Sequence, residues 1–273
     1  MENINNIKLV AIDIDDTLLN DDKCIPKKNI DEIKRVTAKG VKVILSSGRP
    51  LATVTIDLYK QLGLYSEGNY YVAYNGESVY DIYTKECLYS NSLDYNDISY
   101  LEKHFNILDK NIARYVHLDE NVTVINPNKY SYIEYTYNLK DYIIGNFNKF
   151  KNIKAHKYQL AGDPEIIKEI FDEIPIDLKE KYSVVISMPC FIEFMKKGVN
   201  KYQGILKVCD KIEISQKFVL AIGDSMNDYS MIKNASIGVA MDNANPEIKK
   251  IAKIITKSNN QAGVGLLLEK MSF

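Results

Sequence analysis

The sequence is poor in the residues that build metal clusters and disulfides, with four cysteines and three histidines among 273 residues. Cys24, Cys87, Cys190 and Cys209 are scattered without paired spacing, which argues against a zinc site and for reduced thiols. His104, His117 and His156 also lack metal-ligand spacing and read as surface or packing residues. No run approaches the roughly eighteen apolar residues needed to cross a bilayer. An excess of one charge is missing too: 35 basic residues face 36 acidic ones, for a formal charge of −1. With no global field, nothing draws the chain to a nucleic-acid polymer or an acidic membrane, and selectivity for anions must be local. Repeats and low-complexity segments are absent. The polar opening MENINNIKLV has no basic region followed by an apolar stretch of signal length, so the expected location is cytoplasmic. No obligatory protein partner is implied.

What is present is a chain with 46% hydrophobic residues, enough for a substantial core, arranged in an alternating pattern. The apolar run LVAI ends at Asp13, and a helical pattern follows from Pro26 to Gly40, with Ile30, Ile33 and Val36 on one face. VKVILSS reads as a second strand, Pro50 opens another helix reaching about Gly63, and YYVAYNG reads as a third strand. Such alternation implies an α/β fold, a doubly wound Rossmann-like parallel sheet with helices on both faces. NGESVYDIYTKECLYS then looks like a hairpin leaving the sheet. The tyrosine-rich residues after it mix strand candidates (ARYVHL, NVTVIN, KYSYIEYTY, KAHKYQL, YSVVISM) with two helix candidates, DYNDISYLEKHF and PEIIKEIFDEI. The alternation resumes with GVNKYQGILKVCDKI, FVLAIGD, SIGVAM and PEIKKIA. The expected division is therefore a discontinuous α/β core from residues 1–83 and 190–273, with an inserted α+β cap at 84–189.

Polar clusters follow three of the core strands, which is where open α/β sheets bind ligands. DIDDTLL supplies Asp13 and Asp15, SSGRP supplies Ser47 and Gly48, and GDSMND supplies Asp224. Two carboxylates about 4 Å apart repel by roughly 4 kcal/mol at an effective dielectric of about 20, so the assembly calls for a cation. Oxygen-only ligands are hard and select Mg²⁺, which holds one or two carboxylates and takes a phosphate oxygen as a further ligand. Ser47 offers a hydroxyl, Gly48 allows close backbone approach, and Pro50 leaves a helix N-terminus open to an anion. Lys201 is the expected counter-charge, with Lys196 and Lys197 as alternatives. Asn227 or Asp228 supports ligands or caps the next helix. Arg49 and Asn75 lie near the inferred cleft, although Asn75-Gly76 is also ordinary turn chemistry.

Taken in order, DIDDTLL, the Ser-Gly-Arg-Pro, the lysine of KGVNKYQG and GDSMND resemble the four motifs of the haloacid dehalogenase superfamily. The likeness is to its Cof-type phosphatases of subfamily IIB, which carry a cap between the second and third motifs. YNGESVYD and VAMDNANPEIKKIA add to the likeness, which covers nearly the whole chain. It implies that Asp13 is the nucleophile and Asp15 the acid/base. Ser47, Gly48 and Lys201 are then the phosphate cradle, while Asp13, the backbone of Asp15 and Asp224 are the magnesium ligands. Asp228 takes a supporting role and Asp16 is turn chemistry. Crowding by like charge is expected to raise the Asp15 carboxyl, which suits it to protonate a leaving alcohol. Serine stands at 47 where threonine is commoner, and Gln261 and Ala262 replace an acidic pair in SNNQAGVG.

The expected activity is Mg²⁺-dependent hydrolysis of small phosphorylated metabolites (sugar phosphates, nucleotides or phosphorylated cofactors) through an aspartyl-phosphate. A phosphomutase or phosphotransferase would use the same residues. A phospho-accepting domain of receiver type also clusters aspartates with a hydroxyl and a lysine, but has no use for an insertion of this size.

Overall fold

The computed structural model describes residues 6–51, 56–106, 111–118, 121–133, 141–145 and 153–272. Leu9–Ile12 (β1), Lys42–Ser46 (β2) and Tyr70–Ala73 (β3) are followed by Ser78–Asp81 (β4) and Cys87–Ser90 (β5). Then come Ala113–His117 (β6), Asn121–Ile125 (β7), Asp141–Ile144 (β8), Lys157–Ala161 (β9), Tyr182–Met188 (β10) and Phe191–Lys196 (β11). Val219–Gly223 (β12), Ile237–Ala240 (β13) and Ile254–Ile255 (β14) complete the strands. The chain forms two compact units, one from Met1–Gly48, Val54–Tyr89 and Asn200–Phe273, the other from Arg49–Thr53 and Ser90–Val199. Among the described residues no helix is long and apolar enough to cross a membrane.

In the first unit the strand order is β14-β13-β12-β1-β2-β3-β4-β5. β1, β2, β3, β12, β13 and β14 run parallel, and β4 turns back antiparallel on β3. All four residues of β1 and all five of β12 are buried, as expected for strands covered on both faces. The order reverses between β1 and β12, whose registers align Ile12 with Ile222. The crevice at such a reversal is where a doubly wound sheet binds its ligand. Helix Lys27–Ala38 buries Ile33 and Val36 and stops at Gly40, whose φ of 89° suits only a residue without a side chain. The helix expected to begin at Pro50 is described from Ile56 to Leu62; residues 52–55 lie outside the described residues.

The second unit is a six-stranded sheet in the order β10-β11-β9-β6-β7-β8, antiparallel except for β7 on β8. Alternation along β9 and β11 sends Tyr158, Leu160, Ile192 and Phe194 into a core shared with Ile98, Leu101 and Phe105 of helix Tyr95–Phe105. The intervening Lys157 and Glu193 pair with each other at 2.6 Å while nearly fully buried.

Three sequence expectations need correction. The hairpin of β4 and β5 stays in the first sheet as its edge instead of leaving it. The junctions fall at 89/90 and 199/200 rather than 83/84 and 189/190, because β11 pairs with β9 and β10 inside the second sheet. KYSYIEYTY does not open as a strand: Ser131–Ile133 form a helical turn, and Tyr135 and Tyr137 lie outside the described residues.

Candidate functional site

β1 and β12 end side by side, so the residues that follow them are neighbours. The Asp13 amide donates to the carbonyl of Ile222 at 3.0 Å, extending the ladder by one step. Asp224 follows one residue beyond the end of β12. The carboxylates of Asp13, Asp224 and Asp228 gather with oxygens within 4.8 Å of one another, and all three residues are buried. Lys201, fully buried, opens helix Lys201–Lys211 and places its Nζ 2.5 Å from Asp13 Oδ1 and 2.5 Å from Asp228 Oδ1. Asn200 caps that helix by accepting from the Gln203 amide. The two alternatives to Lys201 are used elsewhere in the second unit. Lys196 binds Asp97 and lies 3.7 Å from Asp94, and Lys197 donates to the Lys179 carbonyl.

Asp228 is engaged through both of its carboxylate oxygens. One carboxylate oxygen takes the ammonium of Lys201, and the other accepts the backbone amides of Asp224 (2.9 Å) and Ser225 (3.0 Å). It thereby fixes the turn that carries Asp224. Gly223 makes room for it: a Cβ there would come 2.5 Å from the Asp228 Cγ, so glycine is needed for space. Asp224 in turn accepts from Thr17 Oγ1 and Ser225 Oγ, both at 2.7 Å. Thr17 is not among the expected site residues; its one signal was a hydroxyl four residues after Asp13, between the acidic pair Asp15-Asp16 and Leu18-Leu19.

The residues expected on the anion side lie at the same end of the sheet. The buried Ser47 follows β2, its carbonyl accepting the Asn75 amide. A Cβ on Gly48 would meet the Asn75 side-chain amide at 3.3 Å, and Asn75 Oδ1 accepts from Asn227 Nδ2 at 3.0 Å. Tyr74, Asn75 and Gly76 all hold positive φ (46°, 56° and 93°), costly for the first two. Gly76 has a second reason: a Cβ there would lie 2.1 Å from the Asn200 carbonyl oxygen, so its absence lets the Lys201 helix approach the end of the sheet. Arg49 opens the stretch Arg49–Thr53 that groups with the second unit.

Asp15 is 30% exposed at its side chain, 3.9 Å from Lys23 Nζ, which also pairs with Asp16 at 3.1 Å. Crowding by like charge falls on Asp13 and Asp224, which gather with Asp228. Burial, then the Asp228 carboxylate, push the Asp13 carboxyl well above its ordinary value despite Lys201. The same two causes push Asp224 up to about 6. Burial alone would lower the Lys201 ammonium, but Asp13 and Asp228 hold it above its ordinary value.

Three carboxylates against one ammonium leave two negative charges uncompensated. At 4.8 Å each like pair costs about 3.5 kcal/mol at an effective dielectric of about 20. The donors are all hard oxygens, so the cluster fits a divalent cation of the magnesium and calcium type. A stability signature follows. In the fold Asp224 holds its proton up to about pH 6, against an ordinary value of 3.8. The folded state therefore binds the proton more tightly than the unfolded chain. Its contribution is full below the ordinary value and is lost as pH rises through about 6. Denaturant midpoints measured in chelator from about pH 4 to 7 should show this loss, and Asp224→Asn should remove that part of the slope. An unchanged slope in the variant would locate the proton elsewhere.

The sequence profile of the haloacid dehalogenase-like hydrolases matches residues 10–268. A protein of Streptococcus pyogenes serotype M6 is 35% identical over 269 residues, covering 97% of this chain and 98% of its own. The 5-amino-6-(5-phospho-D-ribitylamino)uracil phosphatase YcsE of Bacillus subtilis is 31% identical over 263 residues, 95% of this chain and 93% of that one. A crystal structure of a haloacid dehalogenase-like hydrolase from Bacteroides thetaiotaomicron superposes with a TM-score of 0.83 at 28% identity, covering 97% and 99% of the two chains.

Proposed function

Because the chain belongs to the haloacid dehalogenase-like hydrolases, we propose that it is a magnesium-dependent phosphomonoesterase working through Asp13. The observation that carries this reading is the Lys201 ammonium held between Asp13 and Asp228 at the point where the sheet order reverses. Lys201 orients one oxygen of Asp13 and leaves the other for attack on phosphorus. The Asp13–phosphorus bond forms as the bond to the leaving oxygen breaks, and Asp15 hands its proton to that oxygen. Water then attacks phosphorus, gives a proton back to Asp15, and frees inorganic phosphate with Asp13 restored. Ser47, Gly48 and the Asn75–Asn227 pair line the place for the remaining phosphate oxygens, with Lys201 adding positive charge.

Asp13 and Asp224, with the backbone of Asp15, are the residues proposed to hold the cation. When bound it supplies the positive charge that lets a phosphate dianion enter among carboxylates. Asp228 is already committed to Lys201 and to two amides, which suits it to hold the ligands in place.

Small phosphorylated metabolites are the proposed substrates, with selection among them assigned to the second unit. A receiver-type reading is set aside because the family match runs through both units.

The test is phosphate release from p-nitrophenyl phosphate by metal-stripped protein. Activity should be absent in chelator and return on adding Mg²⁺, with Ca²⁺ a poor substitute because it favours longer and more numerous oxygen contacts. Undiminished turnover in chelator would refute the metal assignment.

A further inference from the structure

The segment that carries Asp15 makes few regular hydrogen bonds of its own. After Asp13 the chain closes a wide turn through Leu18 to the Asp13 carbonyl and Leu19 to the Ile14 carbonyl. Inside that turn Asp16 takes a left-handed φ of 57°, a conformation that costs a residue with a side chain about 1 kcal/mol or more. Three carbonyls of this segment are each taken by an asparagine from a different part of the first unit. Asn243 donates to Asp16 O (2.7 Å), Asn29 to Leu18 O (3.1 Å) and Asn259 to Leu19 O (3.2 Å).

The asparagine oxygens are used as well. Asn243 Oδ1 accepts the Asn259 amide (3.0 Å) and Asn29 Oδ1 accepts the Gly265 amide (2.8 Å). Each of these two side chains thus bridges the Asp15 segment to the 259–265 segment, and Asn259 and Asn260 add contacts to Asp21. The loop whose expected acidic pair is replaced by Gln261 and Ala262 is therefore a docking strip for the catalytic turn.

From this we infer that Asn243 is a positioning residue for Asp15. It grips the peptide directly after the left-handed Asp16, so releasing it frees Asp16 to relax to a right-handed conformation and swing Asp15 aside. Asp13 does not depend on that grip, because its amide is bonded to Ile222 in the sheet. The inference rests on the reading of Asp15 as the proton donor to the leaving oxygen.

Separating the two aspartates gives the test. The value of kcat/KM for a series of aryl phosphates, from nitrophenyl to methoxyphenyl, reports the step in which the leaving oxygen departs. A good leaving group needs no proton, whereas a poor one does. Asn243→Ala, with Asn243→Asp as a variant that keeps the acceptor but loses the donor, should lose little on p-nitrophenyl phosphate and about tenfold more on the poorest leaving group. Both substitutions are at an exposed side chain, so thermal midpoints should stay within about 2 °C of the parent. Asp15→Asn, run alongside, should show the same dependence more steeply. An equal loss across the series in the Asn243 variants, with Asp15→Asn still dependent, overturns the positioning role alone. A flat profile for Asp15→Asn overturns the acid assignment and this inference with it.

Discussion

Asp13→Asn is expected to cut phosphate release by about 10³-fold or more, which corresponds to about 4 kcal/mol of lost transition-state stabilisation, while making the metal-free protein harder to unfold. Both effects come from one carboxylate. In its proposed role as nucleophile it has no substitute, since an amide oxygen does not form the acyl-phosphate bond that would carry the reaction forward. As a buried charge beside Asp224 and Asp228 it is a burden, because desolvation and like charge favour its protonated form. An asparagine removes one of the two uncompensated charges and still offers an oxygen to Lys201. For a chain of this size each kcal/mol moves the thermal midpoint by about 2–4 °C, so a rise of a few degrees in chelator is expected. The gain should shrink when Mg²⁺ is present, because the parent then has its own neutralising charge. Retained turnover would sink the covalent route. A lowered midpoint in chelator would show that charge crowding does not govern the cluster.

Lys201→Met should produce the largest loss of stability of any single change in the first unit, about 3–5 kcal/mol, together with loss of activity. Methionine fills a similar volume, so the loss does not come from a cavity. It comes from leaving Asp13 and Asp228 buried, facing each other and Asp224 with no ammonium between them. Urea midpoints at unchanged m-value measure it. Adding Asp228→Asn on top should recover part of the loss in stability but none of the activity. If the two changes simply add, the lysine and the aspartate are not coupled and the proposed charge balance is wrong.

How far the sequence reaches is visible in particular residues. β1, β2 and β12 were legible because strands covered on both faces read as unbroken apolar runs, and polar residues at their ends stand out. Asp13 and Asp224 could therefore be paired before any coordinates, since a parallel α/β sheet brings its strand ends together. The preference for Lys201 over Lys196 and Lys197 rested on the family likeness of KGVNKYQG rather than on spacing, since all three flank the same junction; in the fold Lys201 is set by the cap at Asn200 and the close packing at Gly76. How Asp228 is held was not legible, because it accepts backbone amides that side-chain spacing does not reveal. The hairpin β4–β5 was read as leaving the sheet whose edge it forms, and residues 191–196 were counted with the core although β11 lies in the second sheet, for a similar reason. Alternation announces a strand but not its partner. In the stretch KYSYIEYTY, tyrosine and isoleucine favour a strand, yet Ser131 is tied to the Tyr115 hydroxyl and to the Asn128 amide, and Tyr130 to Asp163. Tertiary bonds overrode local preference there.

The hydroxyl of Thr17 reaches a carboxylate 207 residues further along the chain, across a strand pair whose members flank the whole of the second unit. On the ribosome, β1, β2 and β3 emerge long before β12 exists, and they wait with one side of the central strand unpaired. Ser90–Val199, by contrast, emerges as a stretch with its own sheet and core, ready to fold first. Asp13 and Asp224 therefore meet only near the end of translation, and a nascent chain from which β12 has not yet emerged carries a half-built, aggregation-prone sheet edge.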